Sequence, residues 1–522
     1  MNRIYKKIFN KARGCFVAVS EVITSASQNG GKAGSALAAG AVLMALQGPV
    51  QALVTIDGDV VGRDSRINFN SYGNSTVLNE SLQINGNFTW NLGPAASSKN
   101  PYKSTYLGIS VCSDKFGPYN NTLTVNGNFN ITNASFASVA YLGDRSGDTY
   151  GNLNVAGDLF IENNSMLYLL GADEVKPRAT AHANLSVGGT IYNKGSFISA
   201  GDSITKNGYS SLSVNQLVNT GLFSIDSYNL LSATFNDVTI DGGSFQQLGA
   251  SHFVINNSLT LNAGVVYNVS NLVVGHDSGN FIISKTLKLN GGGITNTSSL
   301  TQGSGTINVT KGNYTFGTLT KSNGKLTNSA TLAFNNFNQS NGTTTNTGNL
   351  TIGNSDLYGS LNSSGTLTLT GNVTTRGNLS STGTLNNKGT WTENNAYYIA
   401  GTLNNSGTTT FQNGFTFTDN GRLNSTGTVQ TSDSSNIFDS LGTTGAQDLH
   451  FVSLNSKTEQ EVKTSLNDFF QKYLPGTLSK TLADHASFTG GKVVISGVNI
   501  TKTQEADLKN AFKSKIYLPF PA

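Results

Sequence analysis

The chain has 522 residues, of which 12% are charged and 37% hydrophobic, with 59 glycines and 8 prolines. An ordinary soluble domain carries about 25% charge; here Asn, Thr, Ser and Gly fill the gap, residues poor in helix interiors and good at turns and strand ends. That excludes an all-helical protein, and the hydrophobic content excludes a disordered polar tail.

The formal net charge of +4 is unevenly placed. Arg3, Lys6, Lys7, Lys11, Arg13 and Lys32 face Glu21 alone in the first 52 residues, which leaves 27 basic and 28 acidic residues beyond, a net of −1. No basic stripe is left to track a phosphate backbone, so nucleic acid is not an expected partner. The cationic segment Met1 to Arg13 is followed by a mixed stretch to Lys32 and an apolar run from Ala36 to Leu46. That run fits a signal-peptide core and is short for a membrane span. Val50-Gln51-Ala52 supplies the small residue of a cleavage site, so residues 1–52 read as a leader removed after Ala52.

Within the leader, Met1-Asn2-x-Ile4-Tyr5, Asn10-Lys11-x-Arg13-Gly14 and Val17-Ala18-Val19-Ser20-Glu21 resemble the extended signal peptide region of type V secreted proteins of Gram-negative bacteria, the autotransporters and filamentous-haemagglutinin-like exoproteins. The resemblance implies export to the secreted or outer-surface compartment and no chemistry. It further implies either a C-terminal membrane barrel or an N-terminal Asn-Pro-Asn recognition motif. The chain ends Tyr517-Leu-Pro-Phe-Pro-Ala522 and contains no Asn-Pro-Asn, so the expectation is either an outer-membrane barrel supplied in trans as a partner or an incomplete chain. Cys15 leaves with the leader, and Cys112 alone forms no internal disulfide.

From residue 53 a seven-residue unit, L-x-[IV]-x-G-x-apolar, recurs at Leu82, Leu123, Leu153 and Leu185, with a degenerate copy at Leu212 and a later full copy at Leu367. Alternation at period two marks strands with one buried face, and a Gly in register with the inward residues marks a corner too tight for a side chain. Tyr106-Leu107-Gly108, Tyr141-Leu142-Gly143 and Tyr168-Leu169-Leu170-Gly171 each precede a polar loop, at 109–121, 144–151 and 172–184. The loops hold Asp114 and Lys115; Asp144, Arg145 and Asp148; Asp173, Glu174, Lys176 and Arg178. Insertions on one face of a solenoid are often its binding surface, so these nine residues are the candidate binding residues; tolerated solvated loops are the competing account.

The C-terminal half carries a tighter unit, Leu361-Asn-Ser-Ser-Gly365, Leu379-Ser-Ser-Thr-Gly383, Leu385-Asn-Asn-Lys-Gly389, Leu403-Asn-Asn-Ser-Gly407 and Leu423-Asn-Ser-Thr-Gly427, with weaker copies at Leu326 and Thr344. Its starts advance by 18, 17, 18, 6, 18 and 20 residues. A period of that size is one coil of a solenoid in which like residues stack into ladders, Asn amides satisfy one another, and like charges would collide. The expected fold over residues 53–440 is therefore an all-β parallel β-helix, right-handed by the resemblance and the usual crossover preference. In residues 441–522 the grammar changes to a duplicated strand–helix, with strands at 448–454 and 492–498 and helices at 458–473 and 502–516, expected to cap the solenoid.

Catalytic signals are sparse. The five histidines, His182, His252, His276, His450 and His485, are far apart and no zinc spacing or nucleophile elbow occurs. Asp57-Gly-Asp59 and Asp144-x-x-x-Asp148 lack the ligand spacing of known calcium loops and read as turns. Asn-x-Ser/Thr triplets such as Asn87-Phe-Thr89 and Asn133-Ala-Ser135 follow from the composition. The expectation is a secreted adhesin of haemagglutinin type, without enzymatic activity or cofactor, whose partner is a host-cell surface glycan or protein, or another copy of itself. A biofilm factor, a glycan-acting β-helix enzyme and a truncated passenger remnant are the competing readings.

Overall fold

The computed structural model describes residues 5–10, 15–20, 53–72, 75–92, 106–112, 120–142, 148–172, 180–200, 208–226, 230–248, 252–267, 271–276, 281–295, 299–418, 421–425, 427–431, 449–453, 476, 484–489 and 492–495. In the leader, Tyr5–Asn10 and Cys15–Ser20 pair as antiparallel strands. Beyond it the described chain is almost entirely strand, and the pairing is overwhelmingly parallel, as an all-β solenoid requires. It divides into two compact units, residues 1–238 with 247–256, and residues 239–246 with 257–522.

In the first unit each coil has three faces. The repeated leucines stack on the first: Leu82, Leu123, Leu153, Leu185 and Leu212 are register partners in turn, so the degenerate copy belongs to the same ladder as the full ones. Its glycine is missing because a residue is missing: Gly188 and Gly189 oppose Asn215 alone. Phe88, Phe129, Leu159, Ile191 and Leu217 stack on the second face, and Leu107, Ala137, Leu167, Phe197 and Phe223 on the third. Inward residues are fully buried, and the ladders bring like rings together, with Phe88 on Phe129 at 5.0 Å and Phe197 on Phe223 at 4.4 Å. Each buried Leu or Phe contributes about 2 kcal/mol only because the neighbouring coil covers it.

The corner between the first two faces is made of Gly86, Gly127, Gly157 and Gly189. The N–H of each of the last three donates to the carbonyl of the one before at 2.9–3.0 Å, and a Cβ at Gly127 would lie 2.7 Å from the Gly86 oxygen. Beside them runs a polar ladder: Asp59, Asn87, Asn128 and Asp158 each accept, through Oδ1, the backbone N–H of the matching residue one coil on, at 2.7–2.8 Å. Stacking amides satisfy one another, which is how a charge-poor composition fills a corner without orphaned groups.

The second unit is tighter. Leu367, Val373, Leu379 and Leu385 advance by six residues, one per face, and Leu385 pairs with Leu367 after a full coil of 18. The six-residue step in the sequence repeat is thus the passage from one face to the next: Leu326, Thr344, Leu361 and Leu379 stack on one face, and Leu385, Leu403 and Leu423 on another. Polar residues enter this interior in ladders. Asn328 Nδ2 donates to Asn346 Oδ1 at 2.8 Å, and Asn346 Nδ2 donates to Ser363 Oγ at 3.0 Å and to the Thr366 and Gly348 carbonyls. At a second corner Gln302, Lys321 and Gln339 follow one another, all buried, each donating to backbone carbonyls of the turn.

After Thr431 the strand Leu449–Ser453 adds in parallel to Thr428–Thr431, and Lys492–Ile495 then pairs with it antiparallel. A further strand, Ala486–Thr489, which sequence periodicity did not suggest, forms a hairpin with Lys492–Ile495. The two expected helices, 458–473 and 502–516, lie outside the described residues.

Candidate binding surface

In the first unit the chain leaves the third face at a common position on successive coils. Leu142 is the register partner of both Cys112 and Ala172, and the chain returns in register at Thr149, Ala181 and Gly208. The points where the chain leaves and re-enters the coils around segments 113–119, 143–147, 173–179 and 201–207 are therefore in register at a single corner; the segments themselves lie outside the described residues. Asp114, Lys115, Asp144, Arg145, Asp173, Glu174, Lys176 and Arg178 lie outside the described residues; their anchor points are stacked. The insertions are shorter than the spacing of the sequence motifs implies: Ile109 to Cys112, Thr149 to Gly151 and Ala181 to Asn184 are strand. The Tyr-Leu-Gly triplets are not equivalent either. Tyr106 pairs with Phe136, whereas Tyr141 pairs with Val111 and Gly171.

The corner is fastened from inside. Ser110 Oγ accepts the Asn121 N–H at 2.7 Å and donates to the Tyr150 carbonyl at 2.8 Å, and Asn121 Nδ2 donates to the Leu78 carbonyl at 2.5 Å. Both side chains are fully buried, so the loop anchors are held by the core. Asp148, the one candidate within the described residues, is exposed, and its Oδ1 accepts the Thr180 N–H at 3.0 Å across one coil.

Directly after the insertions, three outward rings stack on successive coils: Tyr150 on His182 at 4.4 Å and His182 on Tyr209 at 5.2 Å. Sequence reasoning missed them, although a signal existed: each stands three residues before the Leu of its repeat, Leu153, Leu185 and Leu212. Burial lowers the His182 pKa below its ordinary value, against an opposing pull from Asp148, so the ring is neutral within the stack at neutral pH. Tyr150 and His182 are half-buried in the stack and Tyr209 is exposed.

Elsewhere, Asp57 and Asp59 serve the coil ladder: Asn85 Nδ2 donates to Asp57 Oδ1, and the Arg66 guanidinium donates to both their carbonyls while chelating Asp64 at 2.7 Å. That pairing holds the Asp64 carboxyl down at about 2. Among the described residues no group of three His, Cys, Asp or Glu converges on a metal-sized space, and no helix is long and apolar enough to cross a membrane.

No curated protein and no solved structure matches the chain. Residues 1–50 match the family described as the extended signal peptide of the type V secretion system. The chain thus carries at its N-terminus the export address of a type V secretion exoprotein, and a parallel β-solenoid follows it.

Proposed function

We propose that the exported chain is an adhesin, a non-enzymatic binding protein that works at the cell surface or after release from it. The observation that carries this reading is the corner where the anchor points of successive insertions are in register on a core-anchored base, with Tyr150, His182 and Tyr209 beside them. Stacked insertions give a solenoid an extended surface of many weak contacts, which suits a host-cell glycan or protein better than it suits a small substrate. A cell-adhesion assay tests it with the full chain and a variant in which residues 113–119, 143–147 and 173–179 are each replaced by Gly-Ser links. Binding should fall at least tenfold while the unfolding transition is retained; undiminished adhesion would sink the proposal.

A further inference from the structure

One outward face of the second unit is concave. The groove encloses about 520 Å³ and crosses five successive coils, with Thr260, Lys288, Asn308, Thr327 and Thr345 along its floor and Asn290 on one wall. The volume is that of an oligosaccharide-sized cleft. A slip in the ladder lies at its edge: between Leu289 and Asn290 the pairing shifts by one residue, so Asn290 is the register partner of Lys311 instead of Thr310.

Most lining side chains are Thr, Asn and Ser, joined by Lys288 and Val309, and from the second of its five coils onward the charge has one sign. Residues 278–355 contain Lys285, Lys288, Lys311, Lys321 and Lys325 and no Asp, Glu or Arg, within a post-leader chain whose formal net is −1. Lys321 is buried and engaged with carbonyls. Lys288 lies on the floor, and Lys325 precedes Thr327 by two residues on the same strand, so both project outward; Lys311 stands at the bulge. Among the described residues neither Lys288 nor Lys325 has a carboxylate partner. The nearest acid along the groove's row, Asp241, sits one coil before Asn262 and accepts from its Nδ2 at 2.7 Å.

From this juxtaposition we infer that the groove is a binding site for an acidic polysaccharide, bearing carboxylate or sulfate groups, laid along the coil stack. The lysines supply attraction, and the ladder of Thr and Asn supplies hydrogen bonds at a regular spacing that matches a repeating polar chain better than a folded protein surface. The inference is independent of the loop corner, which lies in the other unit.

The test measures binding of the full chain to alginate (carboxylate), dextran sulfate (sulfate), neutral dextran and duplex DNA at two salt concentrations. Binding to one or both acidic polysaccharides, weakened by salt and absent with dextran, is expected. Lys288→Glu with Lys325→Glu should weaken it roughly tenfold or more, while Lys194→Glu with Lys388→Glu, the same charge change away from the groove, should weaken it far less. Thr345→Trp, which narrows the groove at constant charge, should also reduce binding, and an unchanged unfolding transition in each variant shows that folding is intact. Equal loss in both charge-reversal pairs, equal binding of neutral dextran, preference for DNA, or no binding of either acidic polysaccharide would overturn the assignment. Loss of this binding with cell adhesion intact would leave the loop-corner proposal standing.

Discussion

Glu393 is a carboxyl placed where a solenoid has no water to offer it. It follows Trp391 by two residues on an inward strand face, is 1% exposed, and has one oxygen, Oε2, with no hydrogen-bond partner. Oε1 accepts the Asn395 N–H at 3.0 Å, and Thr375, whose Oγ1 accepts the Trp391 indole N–H at 3.0 Å, bonds the carboxyl as well. Burial dominates and pushes its pKa from 4.5 up to about 8, and its charge, after burial, helps raise the Tyr397 hydroxyl further above the usual range. A carboxyl raised on folding holds its proton more tightly in the native state. Stability is therefore fullest below about pH 4.5, falls as pH rises toward 8, and levels off above it. Each pH unit is worth about 1.4 kcal/mol at most; allowing for relaxation and water entry on ionisation, about 2–3 kcal/mol separates pH 5 from pH 8. Glu393→Gln keeps the shape and the acceptor for Asn395 and removes the titration. Urea unfolding followed through Trp391 fluorescence, in a Trp90→Phe background, should give equal stabilities at pH 5 and a Gln variant more stable by about 2–3 kcal/mol at pH 8. Parallel pH profiles for the two proteins would refute a buried, neutral Glu393.

Lys321 makes the opposite case: burial lowers its pKa to about 8, so the cost of its charge is full below that pH and is relieved as pH rises toward the ordinary 10.5. Since Gln302 and Gln339 hold the same corner one coil either way, Lys321→Gln should stabilise by about 1–2 kcal/mol at pH 7 and by little at pH 10, measured by thermal unfolding. Gly127→Ala places a methyl 2.6 Å from Asn87 Oδ1 and 2.7 Å from the Gly86 carbonyl, and should cost about 3 kcal/mol in urea unfolding, with the loss confined to neighbouring coils in hydrogen exchange. Asn346→Leu strips Ser363 Oγ and the Thr366 carbonyl of a donor and should cost about 2–4 kcal/mol. Adding Asn328→Leu should cost less than a second independent loss, because the two amides share one bond; strict additivity in a double-mutant cycle would dissolve the ladder.

Much of the architecture is legible in residues that repeat at period two. Leu123, Val125 and Gly127 already state which side of the strand is buried and where the corner falls, because a parallel stack repeats the same steric demand every coil. The six-residue step from Leu379 to Leu385 looks irregular in a string of eighteens and becomes regular once a coil has three equal faces. What misled was identity without offset: the Tyr-Leu-Gly triplets share letters, but register is counted from the last turn, and Tyr106 and Tyr141 stand at different distances from theirs. The ring stack failed to show for the converse reason, since Tyr150, His182 and Tyr209 share an offset but not a letter. Lys321 and Glu393 occupy inward positions that alternation marks, yet charge is read as outward by habit. The one-residue slip at the edge of the groove is set against the next coil, and nothing local to Asn290 announces it.

The equal faces of the second unit also set the grain in which such a chain can change length. Removing eighteen residues, for example 367–384, sets Leu385 on Leu350, with Leu and Asn inward and Gly389 at the turn as before, so a whole coil is lost and every later ladder survives. Removing six instead turns the remainder by one face: Leu385 would follow Val373 in the place of Leu379, the Asn387–Asn405 ladder would land on the side of Leu361 and Ser363, Trp391 and Glu393 would land on the side built for the Asn ladder, and the buried amides and aromatic rings would meet the wrong partners. Repeats that are similar coil to coil, and dissimilar face to face, let a gene gain or shed material in whole coils while penalising any other increment. Length in such a chain is a variable with a step size, and the step is written in its cross-section.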